Sequence, residues 1–118
     1  MDKFRPESFL PLTPVAFEIL LALADGERHG YSILQEVESR SGGAVSLHAG
    51  TLYRALARLL ENDLIAELEE SPDPSSDDER RRYYKLTARG IAVARSEVGR
   101  LEGQLAAARS RKLLRARV

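Results

Sequence analysis

The chain is predicted to fold as a mainly α protein with a small β wing: a winged helix-turn-helix extended by a long C-terminal helix. Three observations carry this. Four stretches repeat apolar residues at helical spacing, a period-two pattern broken by a polar loop lies between the third and fourth, and the fourth continues as an a/d seam. At 118 residues the chain is one domain with a modest core.

Composition narrows the function classes. With 43% hydrophobic and 31% charged residues the balance is that of a globular domain and not of a disordered segment. There is no cysteine, so disulfides and thiolate chemistry are excluded. The most apolar run, residues 15–24, contains Glu18 and is too short to span a bilayer, and the N-terminus lacks a leader pattern. A cytoplasmic location with no membrane partner is therefore expected. No Ser/His/Asp arrangement, phosphate-binding loop or metal-ligand cluster stands out, so no enzyme, cofactor or metal is expected; Asp73, Asp77 and Asp78 sit among prolines without the glycine of a calcium loop.

The formal net charge is zero, but its distribution is uneven. Residues 61–79 hold nine acids and no Lys or Arg, whereas residues 80–118 hold twelve basic residues against Glu97 and Glu102. An uneven field steers a polyanion even when the sum vanishes.

Taken in order, residues 1–12 read as a loose N-terminal arm ending near Pro11. Thr13-Pro14 then supplies an N-cap hydroxyl followed by proline at the first helical position. Phe17, Leu20, Leu21 and Ala24, broadened by Val15, Ile19 and Leu23, form the expected buried stripe of a first, central helix, which Asp25-Gly26 ends. A second helix is predicted over 30–40, with Ile33, Leu34 and Val37 inward and His29 packing or capping its start. Residues 44–47 form a link with room for a brief strand.

The third helix organises the rest. Leu52, Leu56, Leu59 and Leu60 make one apolar stripe, which leaves Gly50, Thr51, Arg54 and Arg58 outside it and Tyr53 at its edge. Two guanidinium forks one turn apart suit phosphates and guanine edges, while the free N–H groups of the first turn attract a phosphate. On its own such a face is usually just solvated. Its setting is what points to DNA: two helices joined by a short glycine-containing turn, then two strands around the polar loop 71–79. Residues 64–70 and 80–86 are those strands, and the wing is Arg80, Arg81, Arg82, Tyr83, Tyr84 and Lys85. Its cations can follow a sugar-phosphate backbone, or alternatively neutralise the acids of residues 73–79.

Thr87 caps the last helix. There Ile91, Ala94, Val98, Leu101, Leu105 and Ala108 recur at spacings of 3, 4, 3, 4 and 3. A seam this long favours a second chain over the molecule's own first helix, and a dimer would present two recognition helices to the half-sites of a pseudo-palindrome. Residues 13–86 are thus read as the DNA-binding domain, and 87–118 as a dimerisation helix with a basic tail.

These motifs resemble the PadR family of bacterial transcriptional regulators, in particular its short members. The likeness rests on LLALADG closing the first helix, His29-Gly30-Tyr31-Ser32-Ile33-Leu34, Gly50-Thr51-Leu52-Tyr53-Arg54-Ala55-Leu56 with Leu59, Leu64-Ile65, and Arg82-Tyr83-Tyr84-Lys85-Leu86-Thr87 with Gly90. The resemblance implies a dimeric winged-helix repressor with double-stranded DNA and a second copy as partners. It also implies a phosphate contact for Tyr53 and a packing role for Tyr31 near the start of the second helix. Two departures stand out: His48-Ala49 replaces the Ser-Pro often found before the glycine, and Asp63 stands where the family often has glycine. Two rival readings remain, a protein-docking winged helix that never touches DNA and a sensor with an unknown small-molecule effector near the dimer seam.

Overall fold

The computed structural model describes residues 3–44, 47–68 and 82–114. Helix α1, Pro14–Ala24, starts where the Thr13 hydroxyl accepts the Ala16 N–H at 3.1 Å with proline in its first turn. A cap of this kind contributes about 1 kcal/mol. The helix stops at Asp25, and Gly26 follows with φ +143°, a backbone region that side chains rarely tolerate. A two-residue strand β1, Arg28–His29, leads into α2, Gly30–Arg40. There His29 Nδ1 accepts the Ser32 N–H at 3.1 Å, so the expected histidine cap is present.

Helix α3, Ala49–Glu61, is followed by strands β2, Ile65–Glu67, and β3, Tyr83–Leu86, and then by the long helix α4, Ala88–Ser110. The turn before β2 keeps its left-handed conformation although it lacks glycine: Asp63 has φ 60°, and its carbonyl accepts the Thr87 hydroxyl at 2.6 Å. The sheet is antiparallel in the order β1-β3-β2, with Ile65 opposite Leu86 and His29 opposite Tyr83.

The core joins Ile19, Leu20, Ala22 and Leu23 of α1 to Ile33 and Val37 of α2, Leu52, Leu56 and Leu59 of α3, and Leu64, Ile65, Tyr84 and Val93. The predicted stripe of α1 needs correction. Of its four central residues only Leu20 is fully buried and Ala24 is exposed, whereas Ile19 and Leu23 beside them are buried. A helix apolar on nearly every side has no face that composition singles out, and α1 is packed by α2, α3, α4 and β3 together.

Two further expectations are corrected. The N-terminal segment is not loose: Pro6–Phe9 is a 3-10 helix, and Phe4, Phe9, Leu10 and Leu12 pack against the core. The Phe4 and Phe9 rings lie 5.8 Å apart, and the Arg89 guanidinium sits 4.8 Å above the Phe4 ring. The third strand of the described sheet comes from Arg28–His29; neither Ala44 nor Leu47 belongs to a strand, and residues 45–46 lie outside the described residues.

Two contacts fix α4 to the domain. A Cβ on Gly90 would stand 1.9 Å from the Leu64 carbonyl oxygen, so only glycine lets the helix lie this close to the start of β2. About two turns further, Glu97 is 1% exposed, and its carboxylate accepts the Leu12 N–H at 2.7 Å and the Arg100 guanidinium N–H. The hydrogen bond from Arg100 lowers the pKa of Glu97 from its ordinary value; burial opposes this, and the Leu12 N–H adds to the lowering.

Candidate nucleic-acid interface

The packing of α3 decides what it presents. Leu52, Leu56 and Leu59 are buried, and a period of 3.6 then turns Gly50, Tyr53, Arg54 and Arg58 outward, all exposed, with Thr51 half-buried between them. Arg54 Nη2 lies 3.5 Å from the Thr51 hydroxyl. Among the described residues neither Arg54 nor Arg58 has an ion pair, in contrast to Arg28, Arg40 and Arg100. Arg28 donates to the Ala22 carbonyl at 2.9 Å and the Ser32 hydroxyl at 3.1 Å, and Arg40 binds Glu18 and Glu36. Arg28 of β1 and Arg40 of α2 therefore hold elements of the domain together, whereas among the described residues Arg54 and Arg58 of α3 are left without a counter-charge.

The start of α3 departs from the usual cap. His48 occupies the N-cap without a side-chain hydrogen bond to the first-turn N–H groups. Tyr53 lies across the start of α2: a Cβ on Gly30 would come within 2.9 Å of the Tyr53 hydroxyl oxygen. Tyr53 is 54% exposed and Tyr31 58%. At that exposure Tyr31 does not have the packing role expected of it. Sequence reasoning missed it because a tyrosine in the first turn of α2 looks the same whether it packs or projects.

The wing is only partly described. Arg82 is exposed and pairs with Glu67 at 3.4 Å, a contact open to water and worth about 0–1 kcal/mol, which a phosphate can readily displace. Lys85 is exposed with no ion pair among the described residues. Arg80, Arg81 and the acidic stretch 71–79 lie outside the described residues. Tyr84 is corrected: it is 4% exposed and belongs to the core. Successive strand residues face opposite ways, so Tyr84 and Leu86 turn inward while Tyr83 and Lys85 turn out. Burial raises the Tyr84 pKa, with the Glu67 carboxylate adding to the rise. Tyr83 meets the His29 ring edge-on at 5.3 Å, which ties the wing to the cap of α2.

On α4 the proposed seam splits from the buried face. Val93 and Glu97 point into the domain, while Ile91, Val98, Leu101 and Leu105 are 37–43% exposed and Ala94 and Ala108 half-buried. Ile91, Ala94 and Val98 also line a groove of about 700 Å³ with Leu21, Ala24 and Leu86. No helix among the described residues is long and apolar enough to cross a membrane.

Comparison with known proteins bears on this geometry. A family model described as the transcriptional regulator PadR-like family matches residues 19–96. An uncharacterized 37.1 kDa protein in transposon TN4556 of Streptomyces fradiae is 39% identical over 90 residues, covering 74% of this chain and 24% of that protein. A transcriptional regulator of Clostridium thermocellum superposes with a TM-score of 0.66 at 27% identity, covering 86% of this chain and 90% of the other. Bacillus subtilis PadR, solved in complex with operator DNA, shares the fold with a TM-score of 0.61 at 22% identity, covering 75% of this chain and 48% of its own. The chain spans about a quarter of the Streptomyces protein, so what that whole protein does is not carried over.

Proposed function

Because this chain belongs to the PadR-like family of transcriptional regulators, which are DNA-binding proteins and not enzymes, we propose that it is a repressor that binds a pseudo-palindromic operator as a homodimer. The observation that carries the reading is the outward pair Arg54 and Arg58 on a helix whose leucines are all engaged within the domain. In this reading α3 enters the major groove. Arg54 and Arg58 meet base edges or flanking phosphates, Gly50 and Thr51 bring the helix N-terminus close to the backbone, and Tyr53 donates to a phosphate. Arg82 and Lys85, with Arg80 and Arg81, follow the backbone beside it. The seam of Ile91, Ala94, Val98, Leu101, Leu105 and Ala108, of which Ile91, Val98, Leu101 and Leu105 are exposed, pairs with its copy and so sets two α3 helices on one face.

The operator complex of Bacillus subtilis PadR supports DNA as the partner of this fold. The outward seam supports a second copy as the other.

Selection of binding sites from random duplexes with the purified protein, repeated at two salt concentrations, tests the reading. An inverted repeat is expected, and Arg82→Ala should reduce the slope of log K against log salt by roughly one unit. Recovery of no sequence preference at either salt would overturn it, and an unchanged slope would remove Arg82 from the interface.

A further inference from the structure

A slot runs between α3 and the N-terminal segment. Its volume is about 490 Å³, inside the range of roughly 300–1,000 Å³ usual for small-molecule sites. The lining positions on α3 extend from Thr51 to Asn62, which at 1.5 Å per residue makes the slot about 16 Å long. Phe9, Leu12 and Val15 form one side; Ala55 and Leu59 form the floor of the other. Arg54 and Arg58 stand along that second side, one helical turn apart and without an ion pair among the described residues.

We propose that the slot binds a linear acyl chain ending in a carboxylate, with the chain along the apolar walls and the carboxylate held by Arg54 and Arg58. Length and charge each narrow the ligand. A trough whose lining is mostly apolar disfavours compact polar metabolites, because they would leave its aliphatic walls in contact with water. Two guanidinium groups on one wall select an anion, and their forks match the two oxygens of a carboxylate. The packed N-terminal segment completes the site: Leu12 is held there by the hydrogen bond from its N–H to Glu97, so the wall facing α3 is anchored to the long helix. Binding here has a consequence that rests on the DNA-binding reading. A carboxylate seated on Arg54 and Arg58 occupies the same groups that meet DNA, so ligand and operator exclude one another directly, with no change of fold required.

Calorimetric titration of the full chain with hexanoate, octanoate and decanoate, below their micelle-forming concentrations and without DNA, tests the site alone. Saturable binding is expected, tightening roughly three- to four-fold per added methylene while the slot fills. Decanol should bind at least ten-fold more weakly than decanoate. Arg58→Glu, on an exposed side chain, should weaken decanoate at least ten-fold, and Ala55→Trp should abolish binding by filling the slot. Circular dichroism checks that each variant is folded; if Ala55→Trp is not, Arg58→Glu decides. No saturable binding, equal affinity for decanol, or decanoate affinity unchanged in Arg58→Glu would each overturn the site. A second titration, of decanoate into protein bound to labelled duplex, tests the exclusion. Release of DNA supports it, and a ternary complex overturns it while leaving the site in place; failure to bind DNA at all defeats the repressor reading and not the slot.

Discussion

Helices α3 and α4 are both amphipathic, yet they are unsatisfied in opposite ways. In α3 the leucines are all engaged by the chain's own core, and what remains outside includes Arg54 and Arg58, which have no ion pair among the described residues. In α4 the buried face includes a carboxylate, while Ile91, Val98, Leu101 and Leu105 are left in water. The contrast teaches that amphipathicity alone does not say what a helix is for. A helix that has used up its apolar side invites a polyanion; one that has apolar surface to spare invites another helix.

The contrast can be broken most forcefully at the seam. Leu101→Asp places two carboxylates, one per copy, where the proposed dimer is dry, and association should weaken by a thousandfold or more, about 4 kcal/mol. Sedimentation reads this directly, and a variant that remains dimeric would move the interface elsewhere. Next in size is a matched pair of truncations. Leu56→Ala should cost about 3 kcal/mol of folding stability because it opens a cavity in the core. Leu105→Ala at low protein concentration should cost well under 1 kcal/mol, since its side chain is already 43% exposed. Equal losses in urea melts would mean that α4 is no less engaged within the monomer than α3.

On the charged side, Arg54→Ala should lower affinity for the selected operator by about 1–3 kcal/mol and relax discrimination at one base position. An equal loss on random duplex would assign Arg54 to phosphate alone. The smallest effect concerns Glu97. Its pKa is depressed in the folded chain, so the unfolded chain takes up a proton first as pH falls. The stability this gives is therefore present above the ordinary carboxylate range and lost as pH drops through it toward the folded value. Glu97→Gln should flatten that part of the stability profile, and melts of both proteins at neutral and mildly acidic pH would show whether it does.

Much of the fold is legible in the sequence because its signals are local. Thr13-Pro14, His29 and Thr87 each cap a helix through a hydrogen bond spanning three residues, and the leucine spacing of α3 already orients Arg54 and Arg58. What escapes is non-local. Glu97 looks like any surface acid of a long helix until Leu12, 85 residues earlier, is brought against it. The N-terminal segment reads as an arm for the same reason. Tyr84 lies in a run of wing residues whose register is fixed only by pairing with β1 and β2, and a shift of one position would have exchanged it with Tyr83.

The glycine at position 90 has a further consequence. With no room for even a methyl group beside the Leu64 carbonyl, α4 leaves the domain through a joint with no slack. In the proposed dimer the pitch between the two DNA-reading surfaces is then dictated by the protein, so operators whose halves are out of phase by a base pair would be rejected by rigidity and not by any contact with the bases.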